Sequence, residues 1–170
     1  MAELPRPKAL VVYFSRSGTT RLLAEGIARA MHADVEELKE QRSRRGLLGW
    51  LRSGYEGTYA LSSETLPIEH DLSAYDLIFI GSPTWNKGLS SPVRGFLKQH
   101  HSDLPRVALF ATCQGNGAAN VIEQMSQLLP EPPLATLAML ERHVKRHYAG
   151  QVGELVEAAL CSLERVHSAR

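Results

Sequence analysis

The stretch Ser15-Arg16-Ser17-Gly18-Thr19-Thr20 packs four hydroxyls, one glycine and one guanidinium into six residues. A phosphate needs converging donors. Hydroxyls supply some, and the amides that open a helix supply more, with a dipole that favours negative charge. Gly18 permits the backbone geometry that folds successive N–H groups into an anion-binding concavity. Arg16 adds a positive charge there or points to solvent. The same residues also suit a plain polar turn with a Ser or Thr cap, so their position in the fold has to decide. Other phosphate chemistries are excluded by residue type. No G-x-x-x-x-G-K-[S/T] occurs, and no G-x-G-x-x-G follows the first apolar run. The stretch has no cysteine, so thiolate attack on a phosphate has no nucleophile here.

The elements that must position this stretch alternate between strand-length apolar runs and helix-length amphipathic ones. Residues 8–14 read as a first strand and residues 20–31 as a helix, with Leu22, Leu23, Ile27 and Met31 on one face. Residues 33–38 form a weaker strand carrying Glu36 and Glu37. Residues 77–81, LIFIG, form a short apolar strand. Residues 92–100 are a helix with proline in its first turn, 107–112 a buried strand, and 134–140 a fifth strand. Helical stripes run through Val121, Ile122, Met125, Leu128 and Leu129, and through Val152, Leu155, Val156, Ala159, Leu160 and Leu163. Residues 41–70, with four glycines among Leu47, Leu48, Trp50, Leu51 and Tyr55, read as a short irregular helix and a long loop. The alternation implies an α/β fold in one domain over residues 1–170. Its core is a doubly wound, five-stranded parallel sheet in the order 2-1-3-4-5, with helices on both faces. The phosphate-type loop then follows strand 1, at the point where the strand order reverses, which is where such sheets bind ligands. That position favours phosphate binding over a plain turn.

Residues 11–20, VVYFSRSGTT, resemble the phosphate loop of flavodoxins, a strand followed by [S/T]-x-[S/T]-G-[N/T]-T. The resemblance implies FMN, its 5′-phosphate wrapped by Ser15, Ser17, Gly18, Thr19 and Thr20 with Arg16 beside it. FMN at the switch point is the best-known instance of the ligand rule above, so that location is borrowed from flavodoxins. Residues 81–97, GSPTWNKGLSSPVRGFL, are similar to the flavin-ring loop of the same family and to the GSP-x-Y-N loop of NAD(P)H-dependent FMN reductases. The strand 1 loop favours the flavodoxin side. Pro83, Thr84, Trp85, Asn86, Lys87 and Gly88 are expected to hold the ring, with Trp85 stacked on it or, alternatively, buried in the core. Residues 111–118 match the second ring loop, with Thr112, Cys113, Gln114, Gly115 and Gly117 toward the ring's polar edge. No tyrosine lies between Phe110 and Tyr148 to cover the outer ring face. That face is therefore open or covered by Trp50, Tyr55 or Tyr59.

Composition sets the remaining bounds. A net charge of +1 gives no global drive toward nucleic acid, and it departs from the acidity of typical flavodoxins. No apolar run is long enough to span a bilayer, and the start lacks a secretory pattern. Cys113 and Cys161 form no C-x-x-C motif, so a reducing cytoplasm is expected. His143 and His147 have metal-ligand spacing but no evident third ligand, and read as a solvated basic surface. Arg42, Arg44, Arg45 and Arg52 form a basic cluster suited to an acidic partner or to NAD(P)H phosphates, or an ordinary surface. The expected function is non-covalent FMN binding with electron transfer, through a redox partner protein or an NAD(P)H-dependent reductase. The alternatives are an FMN-containing quinone or flavin reductase, and a flavin-free interaction module of the same fold.

Overall fold

A computed structural model describes residues 6–40 and 46–169, with only the backbone of Trp50. Arg42, Arg44 and Arg45 of the basic cluster, and the Trp50 side chain, lie outside the described residues. The strands are β1 (Ala9–Tyr13), β2 (Asp34–Glu37), β3 (Leu77–Trp85), β4 (Gly88–Leu89), β5 (Arg106–Cys113) and β6 (Thr136–Leu140). The helices are α1 (Thr19–Met31), α2 (Gly46–Thr58), α3 (Ser91–Gln99), α4 (Ala118–Ser126) and α5 (Glu141–Ser168). Five strands pair in the order β2-β1-β3-β5-β6, all parallel. This is the expected 2-1-3-4-5 arrangement, with β5 and β6 as its fourth and fifth strands. The added β4 folds back antiparallel on the end of β3.

Strand alternation divides the core. Leu10, Val12, Ile78, Ile80 and Leu109 face Val93, Phe96 and Leu97 of α3 and Val121 and Met125 of α4. Val11, Phe79, Ala108 and Phe110 face Leu23 and Ile27 of α1 and Val144, Val152 and Leu155 of α5. Burial on both faces makes β1, β3 and β5 continuously apolar, as parallel central strands should be. Gly81 sits where a Cβ would lie 2.1 Å from the Phe110 ring. Its smallness makes room for that ring in the core, rather than for a ligand.

Several boundaries differ from expectation. The strand read as ending at Gly81 runs to Trp85, because Ser82 and Pro83 go on pairing with Ala111 and Thr112. The stripe at 152–163 belongs to a helix that starts at Glu141 and breaks its geometry at His147 (φ −142°, ψ 28°). The 143–147 segment is thus the opening of α5. Glu36, on the edge strand, is buried. Its carboxylate accepts from the Glu69 amide (2.9 Å), the His70 amide (3.2 Å) and His70 Nδ1 (2.6 Å). It thereby pins the long crossover between α2 and β3 against β2.

Two outcomes test this packing. Gly81→Ala is expected to cost about 1–3 kcal/mol by overpacking against Phe110, read as a lower urea midpoint at unchanged m-value. The Tyr75 phenol donates to Asp34 (2.8 Å); burial first, and then this bond, push its pKa up to about 12. A raised folded pKa means that the stabilisation is complete below the ordinary value of 10.0 and is lost as pH rises toward about 12. Tyr75→Phe should therefore flatten the fall in stability over that window.

Candidate functional site

At the carboxyl ends of β1, β3 and β5 lies a cavity of about 630 Å³, within the range of small-molecule and cofactor sites. Four chain segments close it. The loop after β1 gives Arg16 and Ser17; the end of β3 and its turn give Pro83 through Lys87; the loop after β5 gives Cys113 through Asn116; and α2 gives Leu51, Ser53, Gly54, Tyr55 and Thr58. Glu141, the first residue of α5, completes the wall.

The loop after β1 turns through Gly18, whose φ of 92° is left-handed and disfavours any side chain. Ser15 Oγ accepts from the Gly18 amide at 3.1 Å and shapes the turn. Gly18 caps α1 without a side-chain hydrogen bond, and no acidic residue stands in the first turn. The opening amides of α1 have no intrahelical acceptor, and their dipole is not countered locally. Thr19 and Thr20 are buried. Thr20 Oγ1 lies 2.8 Å from Thr112 Oγ1, tying the loop to β5 beneath the cavity. Arg21 is held by Glu37 at 2.5 Å, which leaves Arg16 as the exposed cation of this loop. Tyr13, at the end of β1, has its pKa raised by burial and then by Glu37.

The loop after β5 enters α4 in the same way. Gly117, at φ 100°, caps α4 with no side-chain hydrogen bond. A Cβ on Gly117 would stand 2.8 Å from Lys87 Cα, so here the glycine admits a neighbouring turn. That turn, Asn86-Lys87, has φ of 47° and 65° and is fastened from two sides. Asn86 Nδ2 donates to Thr58 Oγ1 of α2 (2.5 Å), and Asn120 Nδ2 of α4 donates to the Lys87 carbonyl (2.6 Å). Gln124 of α4 adds a third fastening, accepting from the Leu89 amide (3.2 Å) and from buried Arg94 (2.6 Å). Burial pushes the pKa of Arg94 down.

Of the residues singled out in the sequence, Arg16, Ser17, Pro83, Thr84, Trp85, Asn86, Lys87, Cys113, Gln114 and Gly115 line the cavity. Ser15, Gly18, Thr19, Thr20, Gly88, Thr112 and Gly117 do not line it. Trp85, expected either stacked on a ring or buried in the core, is 6% exposed and packs edge-to-face with Phe14, ring centroids 5.6 Å apart. The extension of β3 through position 85 turns its ring into the core. Gly88 is likewise used for packing, since a Cβ there would meet the Gly57 carbonyl of α2 at 2.4 Å. The sequence reading missed most of the α2 wall. Its signal was Leu51, Gly54, Tyr55 and Thr58 at i, i+3, i+4 and i+7, one helical face.

A family model described as flavodoxin matches residues 8–155. The chain belongs to the flavodoxin family. The flavodoxin-family chain also matches solved structures. One is a flavoprotein of Lactobacillus acidophilus in complex with FMN, 23% identical, with TM-score 0.68, covering 82% of this chain and 97% of that one. Another is oxidised flavodoxin 2 of Bacillus cereus, 19% identical, with TM-score 0.57, covering 93% and 99%. A third is the two-electron reduced flavodoxin of Megasphaera elsdenii, 21% identical, with TM-score 0.55, covering 89% and 97%. At these identities the likeness is one of fold. No curated protein matches the sequence. Among the described residues, no group of three or more His, Cys, Asp or Glu could hold a metal. No described helix is long and apolar enough to cross a membrane.

Removing one partner of the Thr20–Thr112 pair leaves a buried hydroxyl unpaired. Thr20→Val should cost about 1–3 kcal/mol of stability, and the double variant with Thr112→Val should recover part of it in a mutant cycle.

Proposed function

We propose that this chain binds FMN non-covalently in the cavity and passes electrons through it, as a single-domain protein of the reducing cytoplasm. The observation that carries this reading is the uncapped start of α1 at the switch between β1 and β3, edged by Ser17 and Arg16. The donor set fits a phosphate tail: helix amides, a serine hydroxyl and a guanidinium, with no carboxylate in the turn. The ring end fits as well. Thr84 Oγ1 is buried on the wall without a hydrogen-bond partner among the described residues, and the turn beside it is braced from α2 and α4. FMN in this place supplies redox chemistry of its own. The residues bind it, orient it and set access. The loops 15–20, 83–88 and 112–117 do the holding.

A second reading, an FMN-containing reductase with a small substrate, draws support from the α2 wall. Tyr55 and Leu51 leave an exposed apolar border on the cavity, which a carrier that only meets protein partners does not need.

Titrating apoprotein with FMN and with riboflavin separates phosphate anchorage from ring binding. FMN should bind the more tightly of the two. Ser17→Ala should weaken FMN about tenfold, the worth of one charged hydrogen bond, and leave riboflavin unchanged. Protein that takes up neither flavin would be the flavin-free module instead.

A further inference from the structure

We propose that the α2 wall is a second subsite, taking an uncharged, planar ligand of quinone type at the mouth of the cavity; this rests on the reductase reading above. The exposed large apolar side chains are concentrated here. Among the described residues, Leu47, Leu48, Leu51, Tyr55, Tyr59 and Leu61 are 42–82% exposed. Only Leu51 and Tyr55 of these also line the cavity, so this apolar surface reaches inside at those two positions. The Tyr55 ring is steadied by Tyr59, with centroids 4.6 Å apart and planes tilted by 44°. Together they form an aromatic platform beside the cavity, whose Trp85 is 6% exposed and packs on Phe14. Gly54 lies between Leu51 and Tyr55 on the same helical face, and a Cβ there meets nothing within 4 Å. The wall therefore has a recess as well as a platform.

The polar groups of the wall argue for an uncharged ligand. Ser53 Oγ donates to the Gly49 carbonyl (2.7 Å), and Thr58 Oγ1 donates to the Gly54 carbonyl (2.7 Å) while accepting from Asn86. Arg52 is bound to Glu56 at 2.6 Å. The α2 side thus commits its only described cation internally, and the cations on the cavity, Arg16 and Lys87, stand on the loops. A dinucleotide's phosphates would find no free cation among the described residues of this wall. A flat ring with carbonyl oxygens would find apolar contact and one phenol hydroxyl, that of Tyr55.

The test uses menadione as the probe, titrated calorimetrically into the protein with its flavin absorbance recorded first. Menadione is expected to bind. Leu51→Asp and Gly54→Leu should each weaken it at least tenfold, and by a clearly larger factor than they weaken FMN. Gly54→Leu should also raise the melting temperature, since it removes a helical glycine; its loss of binding could not then be blamed on unfolding. Leu48→Asp, on the exposed stripe but off the cavity, should bind menadione like the parent. Menadione binding that Leu51→Asp leaves intact, or that Leu48→Asp weakens equally, overturns the subsite. So does a parallel loss of FMN and menadione in Gly54→Leu, which would make the wall part of the flavin site. A protein that binds menadione as described but no FMN keeps the subsite and removes the flavin reading.

Discussion

In a parallel sheet whose crossovers leave neighbouring strands toward opposite faces, the gap between β1 and β3 at the carboxyl edge cannot be closed by either crossover. That gap is the constraint on which the rest of this molecule depends. It places the start of α1 at an open mouth, with amides that the helix cannot use itself. Gly18 makes the turn possible, and the buried Thr20–Thr112 pair fixes it to the strand across the gap. The start of α4 meets the same mouth through Gly117. Two uncapped helix starts and one exposed arginine then give the cavity a field suited to an anion at one end, while its other end is set by a turn braced from α2 and α4.

Those braces distribute the work differently from what loop composition suggests. The turn at Asn86-Lys87 has both residues at positive φ, the geometry of a tight hairpin, and Thr58 of α2 with Asn120 and Gln124 of α4 hold the hairpin from two helices. Arg94 has no carboxylate among its described partners; Gln124 meets its Nη2 group. That bond offsets part of the cost of burying the guanidinium, whose Nε has no partner among the described residues. The glycines after β3 and β5 serve protein packing, with Gly88 against α2 and Gly117 against the Asn86-Lys87 turn.

The sheet and its order were legible because both-face burial leaves an unmistakable signature: LVVY, LIFI and VALFA admit no polar residue. The phosphate-type loop was legible because its chemistry is concentrated in six consecutive residues. Trp85 was not, because its environment depends on where β3 ends. Pro83 and the glycines around it look like loop, yet Pro83 lies in register with Thr112 as the pairing continues. The α2 wall was hidden for a related reason. Its helical face is built from Leu51, Gly54, Tyr55 and Thr58, whose helical spacing is legible but whose mixed polarity does not say what the face meets; the crossover pinned by Glu36 and the close approach of Gly57 to the Trp85 carbonyl bring it to the cavity.

Phosphorus NMR of the protein mixed with FMN tests the anchorage most directly. A phosphate gripped by the α1 amides and Ser17 should give a resonance displaced from that of free FMN. Its position should hold steady as pH crosses the second phosphate pKa of about 6. A line that coincides with free FMN and titrates with it would show that the loop after β1 holds no phosphate.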